Sequence, residues 1–121
     1  MIYDAEDLLT QWGIWVWQGA GIPRYVSPAF AMLRDNVEQH QAPSAAISDE
    51  DAMLIDSIIA RMGRRDEEMA NCVRLYYATG RTMHGVGQVL GLQRLKVREL
   101  LVAGKCYVEA CLDMHATQIA A

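Results

Sequence analysis

Twenty residues toward the C-terminal end constrain this chain more than any other stretch. From Thr82 they read T-M-H-G-V-G-Q-V-L-G-L-Q-R-L-K-V-R-E-L-L. Gly87 and Gly91 stand four apart, and Val97 follows six positions later. Two helices joined by a tight turn need such a pattern. A very small residue belongs where the helices touch, and a residue tolerant of positive φ belongs in the turn. A branched apolar residue then anchors the second helix. Val86, Leu90, Leu92 and Leu100 supply the remaining inward positions. The spacing predicts a helix-turn-helix over 82–112, with a short helix near 82–90 and a long one near 93–115. Two features work against it. Gln93 stands where Ser or Thr commonly caps the second helix. Gly85 and Gly87 each lower the helix propensity of the first by about 1 kcal/mol relative to Ala.

The rest of the chain reads as helix as well. No long alternating run and no Asn-Gly or Asp-Gly hairpin turn is present. A first helix is expected over about 4–18, with Leu8, Leu9, Trp12, Trp15 and Val16 on one side, ended by Gly19, Gly21 and Pro23. Ser27-Pro28 resembles an N-cap followed by proline at the first helical position, and 36–46 reads as a polar connection. Ser48 with Asp51 resembles a capping box, and Asp49 and Glu50 suit the positive end of a helix dipole. Leu54, Ile55, Ile58, Ile59 and Met62 form the stripe of that helix, which Gly63 is expected to close. A further helix is expected over 66–79, with Met69, Cys72, Val73, Tyr76 and Tyr77 inward and Gly80 as its stop. The expectation is an all-α compact bundle of five or six helices, one domain over 1–121.

Charge is distributed unevenly. The net charge is −4, but residues 1–59 carry two basic side chains against nine acids, and residues 60–105 carry nine basic against four acidic. A local cationic potential of this kind matters more to a polyanionic partner than the total does. The second helix of the motif would present Gln93, Arg94, Lys96, Arg98 and Glu99 outward. Arginine reads guanine and glutamine reads adenine in the major groove of duplex DNA, where the N-terminal residues of such a helix dock. Arg81 and Lys105 flank the motif and suit phosphate contacts. The competing reading is an ordinary helical hairpin with a solvated basic face.

Other chemistry finds little support. His40, His84 and His115 have no nucleophile or carboxylate at catalytic spacing, and no phosphate-cradling glycine loop is present. Cys111 and His115 share a helix face but lack a second ligand pair, so neither a metal nor a cofactor is expected. Three cysteines, Cys72, Cys106 and Cys111, fit reduced thiols better than a disulfide framework. No apolar run approaches the roughly 18 residues of a membrane span, and the acidic N-terminus does not read as a signal peptide. A cytoplasmic protein that is not an enzyme is expected. Trp12 and Trp15 lie beside Leu8 and Leu9 and suit a core, whereas Trp17 points elsewhere and suits contact with a partner.

Taken in order, these pieces resemble the small Q-type antitermination proteins of lambdoid phages and prophages. The resemblance rests on L-x2-W-G-x-W at Leu9, Trp12, Gly13 and Trp15, on Ser27-Pro28, and on S-D-E-D-A from Ser48 to Ala52. It continues through Tyr76-Tyr77, Gly80, the helix-turn-helix and Tyr107-Val108-Glu109, over nearly the whole chain. The zinc-binding cysteines of the larger lambda-type Q proteins are absent. The resemblance implies a factor that binds DNA near a late promoter, loads onto RNA polymerase at a sigma-dependent pause, and carries it past terminators in the bacterial host cytoplasm. It leaves the acidic N-terminal half and its tryptophans to meet polymerase, sigma factor or a second copy. Two other readings stay open: an activator or repressor acting at initiation through a sigma-region-4-like helix-turn-helix, and a polymerase- or sigma-binding protein that does not bind DNA.

Overall fold

Four of the described helices start where a side chain replaces a missing backbone partner. The computed structural model describes residues 4–18 and 46–120, with side chains to 115. Helix α1 (Ala5–Trp17) is capped by Asp4, whose Oδ1 accepts the N–H groups of Glu6 at 3.0 Å and Asp7 at 3.4 Å. Helix α2 (Asp49–Arg65) is capped by Ser48, whose Oγ accepts the Asp51 N–H at 3.1 Å. Helix α3 (Glu67–Val73) is capped by Asp66, which accepts from Met69 N–H at 3.0 Å. Helix α4 (Met83–Leu90) is capped by Thr82 through Gly85 N–H at 3.0 Å. Helix α5 (Arg94–Ala120) is the longest, spanning about 40 Å at 1.5 Å per residue. No strand occurs among the described residues.

Two expectations change. Gly63 does not close α2, which runs on to Arg65. Asp66 ends it instead, in extended backbone at φ −149 and ψ 94, and at once caps α3. An N-cap must leave helical geometry, so one residue serves as both stop and start. The helix expected over 66–79 also changes character midway. Arg74–Ala78 forms a π-helical segment before Gly80, at φ +69, stops it. The turn expected at Ser27-Pro28, the breakers at 19–23 and all but the end of the connection over 36–46 lie outside the described residues.

One apolar cluster joins all five helices. Leu9, Trp12 and Trp15 of α1 meet Ile55, Ile58, Ile59 and Met62 of α2. Cys72 and Val73 of α3, Val86 of α4, and Val97, Leu101, Val108 and Leu112 of α5 complete it. No polar or charged residue is buried among the described residues. Each fully buried Val, Leu, Ile or Met contributes roughly 1.5–3 kcal/mol. Leu54, Leu8 and Val16, expected on the inward stripes, pack at the edge of this cluster. The tryptophans bury their rings while keeping a polar handle at the rim. Trp15 Nε1 donates to Asp49 Oδ1 at 2.8 Å, and Trp12 Nε1 to Asp56 Oδ1 at 3.4 Å. All three cysteines are free, and burial, with Glu68 and Asp66 nearby, pushes the Cys72 thiol up.

Helix α1 docks on the π-helical segment. Gly13 faces it, and a Cβ there would overlap the carbonyl oxygen of Tyr77 and lie 3.3 Å from Ala78 N. The Tyr77 hydroxyl in turn donates to Glu6 Oε2. Gly13→Ala should therefore lower stability by about 1–3 kcal/mol. That outweighs a helix-propensity gain of at most about 1 kcal/mol, because the obstacle is backbone and cannot rotate away. Equilibrium denaturation checks this, and a Gly13→Ala variant as stable as wild type would contradict the packing.

Burial, with the bond to Glu6 and its charge, raises the Tyr77 phenol above its ordinary 10.0. Folding thus favours the neutral phenol. Its contribution is intact below pH 10.0 and is lost as pH rises above that value. Tyr77→Phe should flatten the alkaline fall of Tm with pH, and a fall as steep as that of wild type would refute the linkage.

Candidate nucleic-acid interface

The turn between α4 and α5 is three residues long and built from backbone. Gly91 sits at φ +70 and ψ 34, a left-handed conformation that costs an L-residue roughly 1–2 kcal/mol. The N–H of Leu92 donates back to the carbonyl of Gly87 at 2.9 Å, which satisfies an orphan carbonyl at the end of α4. This hydrogen bond folds the turn over Gly87. A Cβ at Gly87 would overlap the carbonyl oxygen of Leu92 and lie 3.6 Å from Val97 Cγ2. A small residue is needed here not only where two helices touch but because the turn's own backbone is the nearer obstacle. Val86, Val97 and Leu100 are buried, and Leu90 and Leu92 pack partly buried against the same core.

The start of α5 differs in charge from the starts of α1, α2 and α3, and also from that of α4, whose first turn carries no acid. First turns of α1, α2 and α3 carry acids: Glu6 and Asp7, then Asp49, Glu50 and Asp51, then Glu67 and Glu68. These suit the positive end of a helix dipole. The first turn of α5 has no acid and instead holds Arg94 and Lys96. Cations there oppose the dipole, each by about 0.3–1 kcal/mol at an exposed site. Gln93, Arg94, Lys96 and Arg98 are all exposed. Lys96 Nζ lies 3.9 Å from Glu99 Oε2, with both side chains more than half exposed, an arrangement of little energetic weight. Arg94 and Arg98 have no ion pair among the described residues.

The flanking cations Arg81 and Lys105 each line a groove. Arg98 and Lys105 line a groove of about 170 Å³ together with Glu6, Tyr76, Tyr77 and Val102. Arg81 lines a second groove, of about 400 Å³, which shares Glu6, Tyr76 and Tyr77 with the first. Its Nε is shielded from solvent without a hydrogen-bond partner among the described residues. Tyr76 and Tyr77 pack edge to face, centroids 5.0 Å apart. Trp17, the last residue of α1, is partly buried. Cys111 and His115 both line a separate groove between α2 and α5 with Arg61 and Arg65. Among the described residues no three His, Cys or carboxylate side chains gather as a metal site, and no helix is long and apolar enough to cross a membrane.

Two features go unsignalled by the glycine spacing. Glu6, which accepts from Tyr77 across 71 residues of sequence, shares its grooves with the cationic flank, and no local pattern announces either contact. Leu95, in the first turn of α5, is 67 % exposed, a placement that counting helical turns from the buried Val97 could have shown.

Among the described residues the fold is all-helical around an apolar core, with exposed Arg94, Lys96 and Arg98 at the head of α5. The chain belongs to the phage antitermination protein Q family, whose description as Phage antitermination protein Q matches residues 2–120. Its activity is transcription antitermination, and the family is one of transcription factors that catalyse no reaction. No curated protein and no solved structure matches the chain.

The two glycines of the turn should separate by mechanism. Gly91 has open space around its Cβ position, so Gly91→Asn should be nearly silent and Gly91→Val should lose about 1–2 kcal/mol through backbone strain alone. Gly87→Ala should lose more stability than Gly91→Ala, because atoms must move. Thermal melts of the four variants check this order, and its reversal would contradict the turn geometry.

Proposed function

We propose that this protein binds duplex DNA through the N-terminal end of α5 and that this contact loads it onto RNA polymerase for antitermination. In this reading 82–112 is a helix-turn-helix within a single helical domain. Gln93, Arg94, Lys96 and Arg98 face the major groove, and Arg81 and Lys105 contact phosphates. The observation that carries the proposal is the basic first turn of α5. Uncompensated cations at the positive end of a dipole cost stability in the free protein, and a polyanion relieves that cost on binding. Family membership supports the step that follows, which involves bacterial RNA polymerase and its sigma factor at a promoter-proximal pause in the host cytoplasm. The acidic N-terminal half and its tryptophans, with Trp17 as the contact candidate, are left to meet polymerase, sigma or a second copy.

A paired titration and terminator-readthrough assay tests this. Arg94→Ala or Arg98→Ala should cost on the order of 1–3 kcal/mol at the specific site if each reads a base, and less at random DNA. Arg81→Ala and Lys105→Ala should weaken all sequences alike and flatten the salt dependence. Readthrough should fall with specific binding and should require the upstream promoter region on the template. If both α5 variants lost DNA binding yet kept full readthrough, loading would not run through this helix.

A further inference from the structure

The first turn of α5 presents one side chain that charge does not explain. Leu95 is 67 % exposed, with Arg94, Lys96, Arg98 and Glu99 around it. At about 100° of rotation per residue, the buried Val97, Leu100, Leu101, Gly104 and Val108 define one arc of the helix, and Leu95 lies opposite the middle of it. Arg98 and Glu99, one turn on, flank it on either side. Leu95 is remote from the core, and Arg, Lys or Glu would serve helix propensity as well. Single exposed leucines are ordinary on protein surfaces; this one is set apart by its address. It occupies the centre of the outward face at the helix end that would enter the groove. Val102, the other exposed aliphatic of that face, lies about 10 Å further along the axis and lines the groove with Tyr76 and Tyr77.

We infer that Leu95 reads the 5-methyl group of thymine in the major groove, as an apolar contact beside two base-reading arginines. The inference rests on the reading of α5 as the DNA-reading helix. Among the groups that base pairs expose in the major groove, the thymine methyl is the one apolar group, and aliphatic side chains contact it. The remaining groups there are hydrogen-bond donors and acceptors, which suit Gln93, Arg94 and Arg98 but not a leucine.

The test uses the full chain and a duplex selected from a random-sequence pool for tight binding. Each thymine of that duplex is replaced in turn by deoxyuridine, which removes only the methyl group. Wild type should bind about fourfold more weakly when one particular thymine, or two adjacent ones, is replaced, the loss expected for one methyl-sized apolar contact. Leu95→Ala should melt like wild type, bind the thymine duplex at least fourfold more weakly, and show no further loss with deoxyuridine. Selective binding by wild type with no effect of deoxyuridine at any position would overturn the Leu95 contact and leave the DNA reading standing. So would a Leu95→Ala variant that kept the full deoxyuridine effect. A wild type that bound selected and random duplexes alike would overturn both.

Discussion

The approach of Gly13 to the backbone of Tyr77 sets the geometry on which the rest of this structure depends. Helix α1 can lie against the π-helical segment only because position 13 has no side chain to meet the Tyr77 carbonyl. That docking places Glu6 within reach of the Tyr77 hydroxyl and presses Trp12 and Trp15 into the core, with their N–H groups at Asp56 and Asp49. Both grooves beside the cationic flank have Glu6, Tyr76 and Tyr77 in their walls. A π-helical turn carries one residue more than an α-turn and shifts the side chains that follow it. The two tyrosines, Arg81 and the start of α4 therefore take their positions from the same local change in winding.

Charge segregation along the chain has two distinct causes. Much of the acidity of the N-terminal half serves helix starts: Asp4 caps α1, and Asp49, Glu50 and Asp51 occupy the first turn of α2. Arg64 and Arg65 sit in the last turn of α2, where cations suit the dipole. Those charges are accounted for by folding alone. The cations at the head of α5 are not, because they oppose the dipole they sit on. A folding explanation thus covers the acids of the helix starts and Arg64 and Arg65 but not the cations at the head of α5, where the surface assigned to DNA lies. Screening over about 8 Å at physiological salt keeps that surface locally cationic despite a net negative chain.

The turn before α5 separates two demands that sequence spacing merges. Gly91 supplies a backbone conformation, and nothing crowds its Cβ position. Gly87 supplies space, and its own backbone is ordinary helix. A rigid turn of this kind fixes the angle at which α5 leaves the core. The exposed face of Arg94, Leu95 and Arg98 is then presented by packing of Val97 and Leu101 rather than by a mobile loop. A site on a packed helix holds its geometry more closely than one on a loop.

Sequence alone determined the helical class, the cap at Ser48, the stops at Gly80 and Gly91, and the inward stripe Ile55, Ile58, Ile59 and Met62. These follow from residues three or four positions apart, and an α-helix brings such neighbours together whatever the rest of the chain does. The L-x2-W-G-x-W pattern was legible too, but not the reason for its glycine. Only the tertiary structure decided that α2 runs through Gly63, that the chain winds as a π-helix over Arg74–Ala78, and that Gly13 meets Tyr77. It also decided that Tyr77 reaches Glu6. Most of these depend on which surfaces meet across long separations in sequence, where local propensity carries no information and the packing of backbone against backbone selects the answer.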